Sequence, residues 1–216
     1  MNVFKSLLIV NFIFFSFNTF SFSTPSVNDI IDDKQTTQTL KVAYFASGCF
    51  WCVEAIFESV IGVEEAVSGY AGGFTKNPTY QSIGSGNTGH AEAVAVYYNP
   101  EIVSFKTLVT VFFGSHDPTT VNGQHPDYGS QYRSIAFYSS DQEKNIIKNA
   151  ISKLNKDIYD GKIATEVMPF TKFYKAEEYH QNFERRNPNQ SYVKAVSIPR
   201  LNRFKKKFPA LLKSEE

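Results

Sequence analysis

Gly48-Cys49-Phe50-Trp51-Cys52-Val53-Glu54 holds both cysteines of the chain and its one tryptophan, and it sits where the patterning changes period. Before it, Leu40 to Ala46 reads as a strand that ends in Ser47-Gly48. After it, Val53, Ile56, Phe57 and Val60 recur at three- and four-residue spacing, which predicts an amphipathic helix over Cys49 to about Ile61, stopped by Gly62. Cys49 therefore falls in the first turn of a helix. Unpaired backbone N–H groups and the positive end of the helix dipole point at that position. Both favour thiolate over thiol, the form that reacts. Cys52 follows one helical turn later on the same side, within reach of a disulfide. Two buried structural thiols are the plain alternative. A Cys-x-x-Cys pair at a strand-to-helix junction points instead to redox chemistry.

The chain has 216 residues, enough for a substantial core in one domain or at most two. Its formal net charge of +1 makes no demand for a nucleic acid or an acidic partner. The N-terminus is set apart. A short start ending in Lys5 precedes an uncharged apolar run from Ser6 to Phe22, and Ser21-Phe22-Ser23 offers a small-x-small cleavage site. Residues 1–23 read as a secretory signal peptide, which predicts export, to a periplasm; an uncleaved membrane anchor is the alternative. Residues 24–39 are polar and read as a flexible lead-in to a single domain over 40–216. In an oxidising compartment two cysteines are too few for a disulfide scaffold, whereas a pair that cycles between dithiol and disulfide fits.

Further along, Val63 to Gly69 is a second strand. His90, Glu92, Val94 and Val96 alternate with Ala91, Ala93 and Ala95, giving a strand with two distinct faces. Ser104 caps a helix with the stripe Phe105, Leu108, Val109 and Phe112. Tyr132 to Ser139 is a strand, and Ser140-Asp-Gln-Glu143 is a capping box that opens another helix. Ile163 to Met168 reads as a strand and Ala176 to Arg185 as a short helix. The order predicts an α/β (α+β) fold, a ferredoxin-like βαββαβ two-layer sandwich with extra C-terminal elements. Arg200, Arg203 and Lys205 to Lys207 form a basic C-terminal tail, read as a solvated helix face rather than a docking patch.

Two long loops, Tyr70 to Gly89 and Ser115 to Gln131, carry aromatic and titratable side chains, and loops of this length in a compact domain tend to be functional. Glu92 sits between alanines with valines beyond; a carboxyl buried there resists ionising and is able to donate a proton. On the other face of its strand it would be an ordinary solvated acid. Tyr80 and Tyr132, one from each loop, offer uncharged hydrogen-bond donors suited to polarising an oxygen, or else plain packing. Asp127 either orients a substrate or caps a turn.

Gly-Cys-Phe-Trp, followed by Val-Glu and an apolar helix, resembles the A-type peptide methionine sulfoxide reductases. Four further blocks are similar to that family, in its order: Gly89-His90-Ala91-Glu92, His116-Asp117-Pro118-Thr119-Thr120, Gly129-Ser130-Gln131-Tyr132-Arg133-Ser134 and Ala176-Glu177-Glu178-Tyr179-His180-Gln181. The resemblance covers about Val42 to Phe208. It implies that Cys49 is the nucleophile and that Tyr80, Glu92 and Tyr132 bind and protonate the sulfoxide oxygen. It implies that Phe50 and Trp51 form the methyl pocket and that Asp127 helps hold the substrate, with His90 a further substrate contact. The substrates implied are free and protein-bound methionine S-sulfoxide, and no metal or organic cofactor is implied, only an external dithiol such as thioredoxin. A monomer with no nucleic-acid partner is expected. Many members carry glycine where this chain has Cys52 and place recycling cysteines near the C-terminus. This chain has none there, so Cys52 is the intramolecular candidate. Two other readings stay open: a thioredoxin-like Cys-x-x-Cys disulfide oxidoreductase, and a zinc-binding module using Cys49, Cys52, His90 and His116.

Overall fold

A computed structural model describes residues 39–214. The signal-peptide reading of 1–23 and nearly all of the lead-in lie outside the described residues. The element order is β1 (Lys41–Ser47), α1 (Phe50–Glu58), β2 (Val63–Ala71), α2 (Tyr80–Gly84), β3 (Ala91–Tyr98), α3 (Phe105–Gly114), β4 (Gly123–Gln124), β5 (Asp127–Tyr128), β6 (Ser134–Tyr138), α4 (Asp141–Leu154), β7 (Glu166–Pro169), β8 (Phe173–Lys175), α5 (Phe183–Arg186) and α6 (Ile198–Lys207). The main sheet runs β7-β6-β1-β3-β2-β8. Its four middle strands, β6-β1-β3-β2, pair antiparallel in the order expected of a ferredoxin-like sandwich. β7 adds a parallel edge on β6, and β8 an antiparallel edge on β2.

The apolar stripes read from the sequence explain this packing. Val53, Ile56 and Phe57 of α1 and Leu108, Val109 and Phe112 of α3 form one buried core with Phe45 of β1. The Phe45 ring stacks on Phe57 at 5.1 Å and on Phe112 at 5.2 Å. The alternation in β3 divides the strand between two clusters. Val94 and Val96 join the core under the helices, while Ala91 and Ala93 face a second cluster with Ile135 and Phe137. Alanine is required there because Tyr44, Phe170 and Phe173 lie close over that face, with Tyr44 and Phe170 stacked at 3.6 Å. Every residue of β3 except Tyr97 is buried, so Glu92 has no wet face to occupy.

Several segments differ from the sequence reading. The helix expected over Ala176–Arg185 is a 3-10 turn at Glu178–His180 and a single turn at α5, broken by Asn182 at φ 53°. Tertiary hydrogen bonds override helix propensity here. Gln181 bonds both backbone groups of Ser68, and the Asn182 N–H donates to the Glu54 carboxylate. Strand β6 starts at Ser134, leaving Tyr132 at the end of a 3-10 turn over Ser130–Tyr132. Both long loops contain short elements: α2, opened by a Thr79 capping box, and the β4–β5 hairpin. The basic C-terminal stretch is not a loose tail. It forms α6, whose Phe204 is buried in the main core and whose Arg200 reaches the backbone of β1.

Candidate active site

The junction between β1 and α1 turns at Gly48, with φ +87°. A Cβ at Gly48 would meet Gln124 Cβ at 2.7 Å, so glycine is needed both for the turn and for the approach of the β4–β5 hairpin. Cys49 then takes the N-cap position of α1 without a side-chain cap of its own, one residue earlier than the periodicity suggested. Cys52, in the first turn, is also buried; both cysteines are free thiols that share a hydrogen bond.

Glu92 is 2 % exposed, and its Oε2 accepts from the Phe50 backbone N–H at 2.9 Å, directly beside Cys49. Burial pushes its carboxyl up to about 8, against the downward pull of that N–H. A neutral Glu92 at physiological pH is a proton donor. Tyr80 and Tyr132 hydrogen-bond to each other, and with Ile83, Gln131 and Glu92 they line a cavity of about 330 Å³. The Tyr80 phenol is raised to about 12 by burial and by Glu92, so it stays a donor.

Phe50 and Trp51 form an apolar wall. Trp51 stacks on Phe183 at 3.7 Å and donates from Nε1 to His180 Nδ1 at 3.1 Å. Phe50 lies 4.8 Å from the same histidine and 6.3 Å from Tyr80. Asp127, on β5, accepts from the Tyr192 hydroxyl, and Tyr192 also hydrogen-bonds Cys49. The sequence-predicted residues Cys49, Cys52, Phe50, Trp51, Tyr80, Glu92, Asp127 and Tyr132 thus gather at one site.

His90 does not join them. Its Nδ1 accepts from the Gly73 N–H at 3.2 Å and its Nε2 lies 2.9 Å from the Thr75 carbonyl, so it pins the loop that leads to Tyr80. Strand alternation had placed it with Glu92, but β3 begins only at Ala91. His116 is likewise engaged, with Phe112 O at 2.8 Å and Ser134 Oγ at 2.7 Å. The four proposed zinc ligands are therefore not assembled. Among the described residues no group of three or more His, Cys, Asp or Glu is placed to hold a metal ion.

Burial works against the helix terminus at Cys49. Burial first, then the Cys52 hydrogen bond and charge, hold the Cys49 thiol well above its ordinary value. Cys52 is drawn down to about 6, chiefly by the hydrogen bond from Cys49, helped by Arg200 and Ser197.

Sequence reasoning missed several supports. Glu177 accepts from Tyr70 OH at 2.6 Å and from the Tyr80 N–H at 3.0 Å, tying α2 to β2. Tyr192 comes from a turn with no local signal. Glu177 and His180 lay within a recognised block, without individual roles.

The comparisons with known proteins agree with this geometry. A family model described as "Peptide methionine sulfoxide reductase" matches residues 41–212. Peptide methionine sulfoxide reductase MsrA 1 of Rhodopirellula baltica is 47% identical over 184 residues, covering 85% of this chain and 95% of that protein. MsrA of Trichodesmium erythraeum is 48% identical over 171 residues, covering 79% and 97%. Among solved structures, Mxr1 from Saccharomyces cerevisiae in reduced form aligns with a TM-score of 0.66 at 35% identity, over 70% of this chain and 87% of that one. Methionine sulfoxide reductase A of Corynebacterium diphtheriae aligns at 0.63 and 34% identity, over 70% and 76%. With the antiparallel β6-β1-β3-β2 core, these matches displace the thioredoxin-like and zinc-module readings, and the chain belongs to the A-type peptide methionine sulfoxide reductases.

Proposed function

We propose that this chain reduces methionine S-sulfoxide, free and in proteins, to methionine, with Cys49 as nucleophile and Cys52 as its recycling partner. The observation that carries the assignment of roles is the buried Glu92 carboxyl held against the N–H of Phe50, next in sequence to Cys49. As Cys49 attacks the sulfoxide sulfur, its proton passes along the shared hydrogen bond to Cys52. Glu92 gives its proton to the sulfoxide oxygen, which Tyr80 and Tyr132 hold. The hydroxyl moves from the methionine sulfur to the Cys49 sulfur as the transient sulfur–sulfur bond between them breaks, so methionine leaves and Cys49 is left as a sulfenic acid. Cys52 then attacks the Cys49 sulfur. An S–S bond forms, the hydroxyl leaves as water, and an external dithiol of the thioredoxin kind reduces the disulfide.

Trp51 and Phe50 supply apolar surface for the methyl group, and Tyr80, Glu92 and Tyr132 supply the donors for the oxygen. Such a site accepts one hand of a chiral sulfoxide. With racemic methionine sulfoxide and dithiothreitol, the expected result is consumption of the S-epimer, ending at half of the racemate. Equal loss of both epimers by chiral chromatography would contradict the arrangement.

We also propose that the protein works after export. The support is the uncharged run after Lys5 and the Ser21-Phe22-Ser23 site. Expressed with its full N-terminus, the mature chain should begin at Thr24 by N-terminal sequencing. Residues 1–23 found intact on a soluble cytosolic protein would refute this, and their retention on a membrane fraction would favour the anchor.

A further inference from the structure

Cys52 has its own surroundings, separate from the sulfoxide cavity. Its Sγ lies 3.1 Å from the Oγ of Ser197, a fully buried hydroxyl whose contact with Cys52 ties the turn Val193–Ser197 to α1. One helical turn on, Arg200 lies under the β1–α1 junction. Its Nε donates to Ser115 O and its Nη2 to Ser47 O, both at 2.8 Å. A Cβ at Gly48 would lie 3.4 Å from its Nη1, an ordinary contact distance, so the guanidinium lies against the backbone beside Cys49.

Arg200 forms no ion pair with any carboxylate among the described residues. The Asp127 carboxylate is within its field but accepts from Tyr192. A half-buried guanidinium held between two carbonyls, with no direct carboxylate contact, has charge left to share with a nearby anion.

We infer that Ser197 and Arg200 form an anion site for the sulfur of Cys52, so that the C-terminal helix keeps the recycling cysteine in its attacking form. The inference rests on the proposed recycling role and deepens it. The groups facing Cys52 from other elements are Cys49, Glu92, Asp127, Glu184 and Tyr192. Glu184 and Glu92 are pushed up by burial to about 7 and about 8, with the Cys52 charge adding to both. Near neutral pH Glu92 is largely protonated and Glu184 about half so, which lessens their opposition to the anion. Cys49 donates toward Cys52, and Arg200 and Ser197 draw it down in the same direction. After Cys52 has taken the Cys49 proton, the same site favours its return to thiolate for attack on the Cys49 sulfenic acid, the proton leaving with the sulfenic hydroxyl as water. In a 216-residue chain with two cysteines, residues well over a hundred positions away in sequence thus tune the second one.

The test is an ultraviolet thiolate titration of the reduced Cys49→Ser protein, in which Cys52 is the remaining thiol and a hydroxyl donor is kept beside it. Adding Arg200→Gln is expected to raise the midpoint by about one unit or more, the size of effect an opposite charge exerts at short range. Near neutral pH the thiolate fraction then falls by up to about tenfold. Ser197→Ala should shift it in the same direction, and Arg200→Lys by less than Arg200→Gln. Arg200 also holds two backbone carbonyls, so Ser197→Ala keeps the test decisive where the Arg200 variant fails to fold. An unshifted midpoint in folded Ser197→Ala and Arg200→Gln proteins overturns the inference, even where the two-cysteine protein forms its disulfide normally. A shifted midpoint in a protein that never forms a Cys49–Cys52 disulfide supports the anion site and overturns the recycling reading instead.

Discussion

Cys52→Ser, mixed with excess methionine sulfoxide and with thioredoxin as sole reductant, should release about one methionine per enzyme and then stop. Cys49→Ser should release none. The two outcomes separate the two thiols. Cys49 lies beside the Glu92 carboxyl, through the Phe50 N–H, while Cys52, one helical turn on, faces Ser197. Loss of Cys52 removes the attacking group for the second step but leaves the sulfoxide cavity untouched. The first step loses its local proton acceptor and slows, yet its stoichiometry stays at one. The product is a sulfenic acid on Cys49, which a dimedone-type probe should label in Cys52→Ser and not in the wild type. Turnover of Cys52→Ser at the wild-type rate would mean that Cys49 is reduced directly and that Cys52 is structural.

Glu92→Gln should slow methionine formation by about 10²–10⁴-fold in a single turnover, the usual contribution of a general acid. Glutamine keeps the shape of the side chain and a carbonyl to accept from the Phe50 N–H, but it has no acidic proton. The pH dependence sharpens the test. Burial raises the Glu92 carboxyl to about 8, so the protonated, competent form is present below that pH and is lost above it. The wild-type single-turnover rate should therefore fall as pH rises through about 8, and Glu92→Gln should lack that limb. An unchanged rate would remove Glu92 from the chemistry.

Much of the fold was legible because its signals are local. The Cys49–Val60 stripe, the Ser104 cap and the two-faced β3 are each written within a few residues, and each places an element on the correct side of the sheet. Glu92 was only half legible: its alternation left a buried acid and a solvated one both open, and burial of both faces of β3 decides between them. What the sequence did not reveal depends on partners far away. Asn182 breaks its helix because Glu54, over a hundred residues earlier, takes its N–H. His90 leaves the site because Gly73 and Thr75 claim its ring before β3 begins. The surroundings of Cys52 were not legible either, since Ser197 and Arg200 belong to a segment that reads as a plain basic tail. Tyr192 falls in the same category, brought to Cys49 by the turn that precedes α6.

The central claim is that the oxidising equivalent taken from the sulfoxide ends as a bond between Cys49 and Cys52. Peptide mapping of the wild-type protein after one equivalent of methionine S-sulfoxide, without added reductant, tests it directly. No lysine or arginine lies between Lys41 and Lys76, so one tryptic peptide carries both cysteines. The account predicts that this peptide loses two hydrogens, resists alkylation until reduced, and appears in step with methionine. A peptide that keeps the added oxygen on Cys49 while Cys52 stays free to alkylate would contradict it.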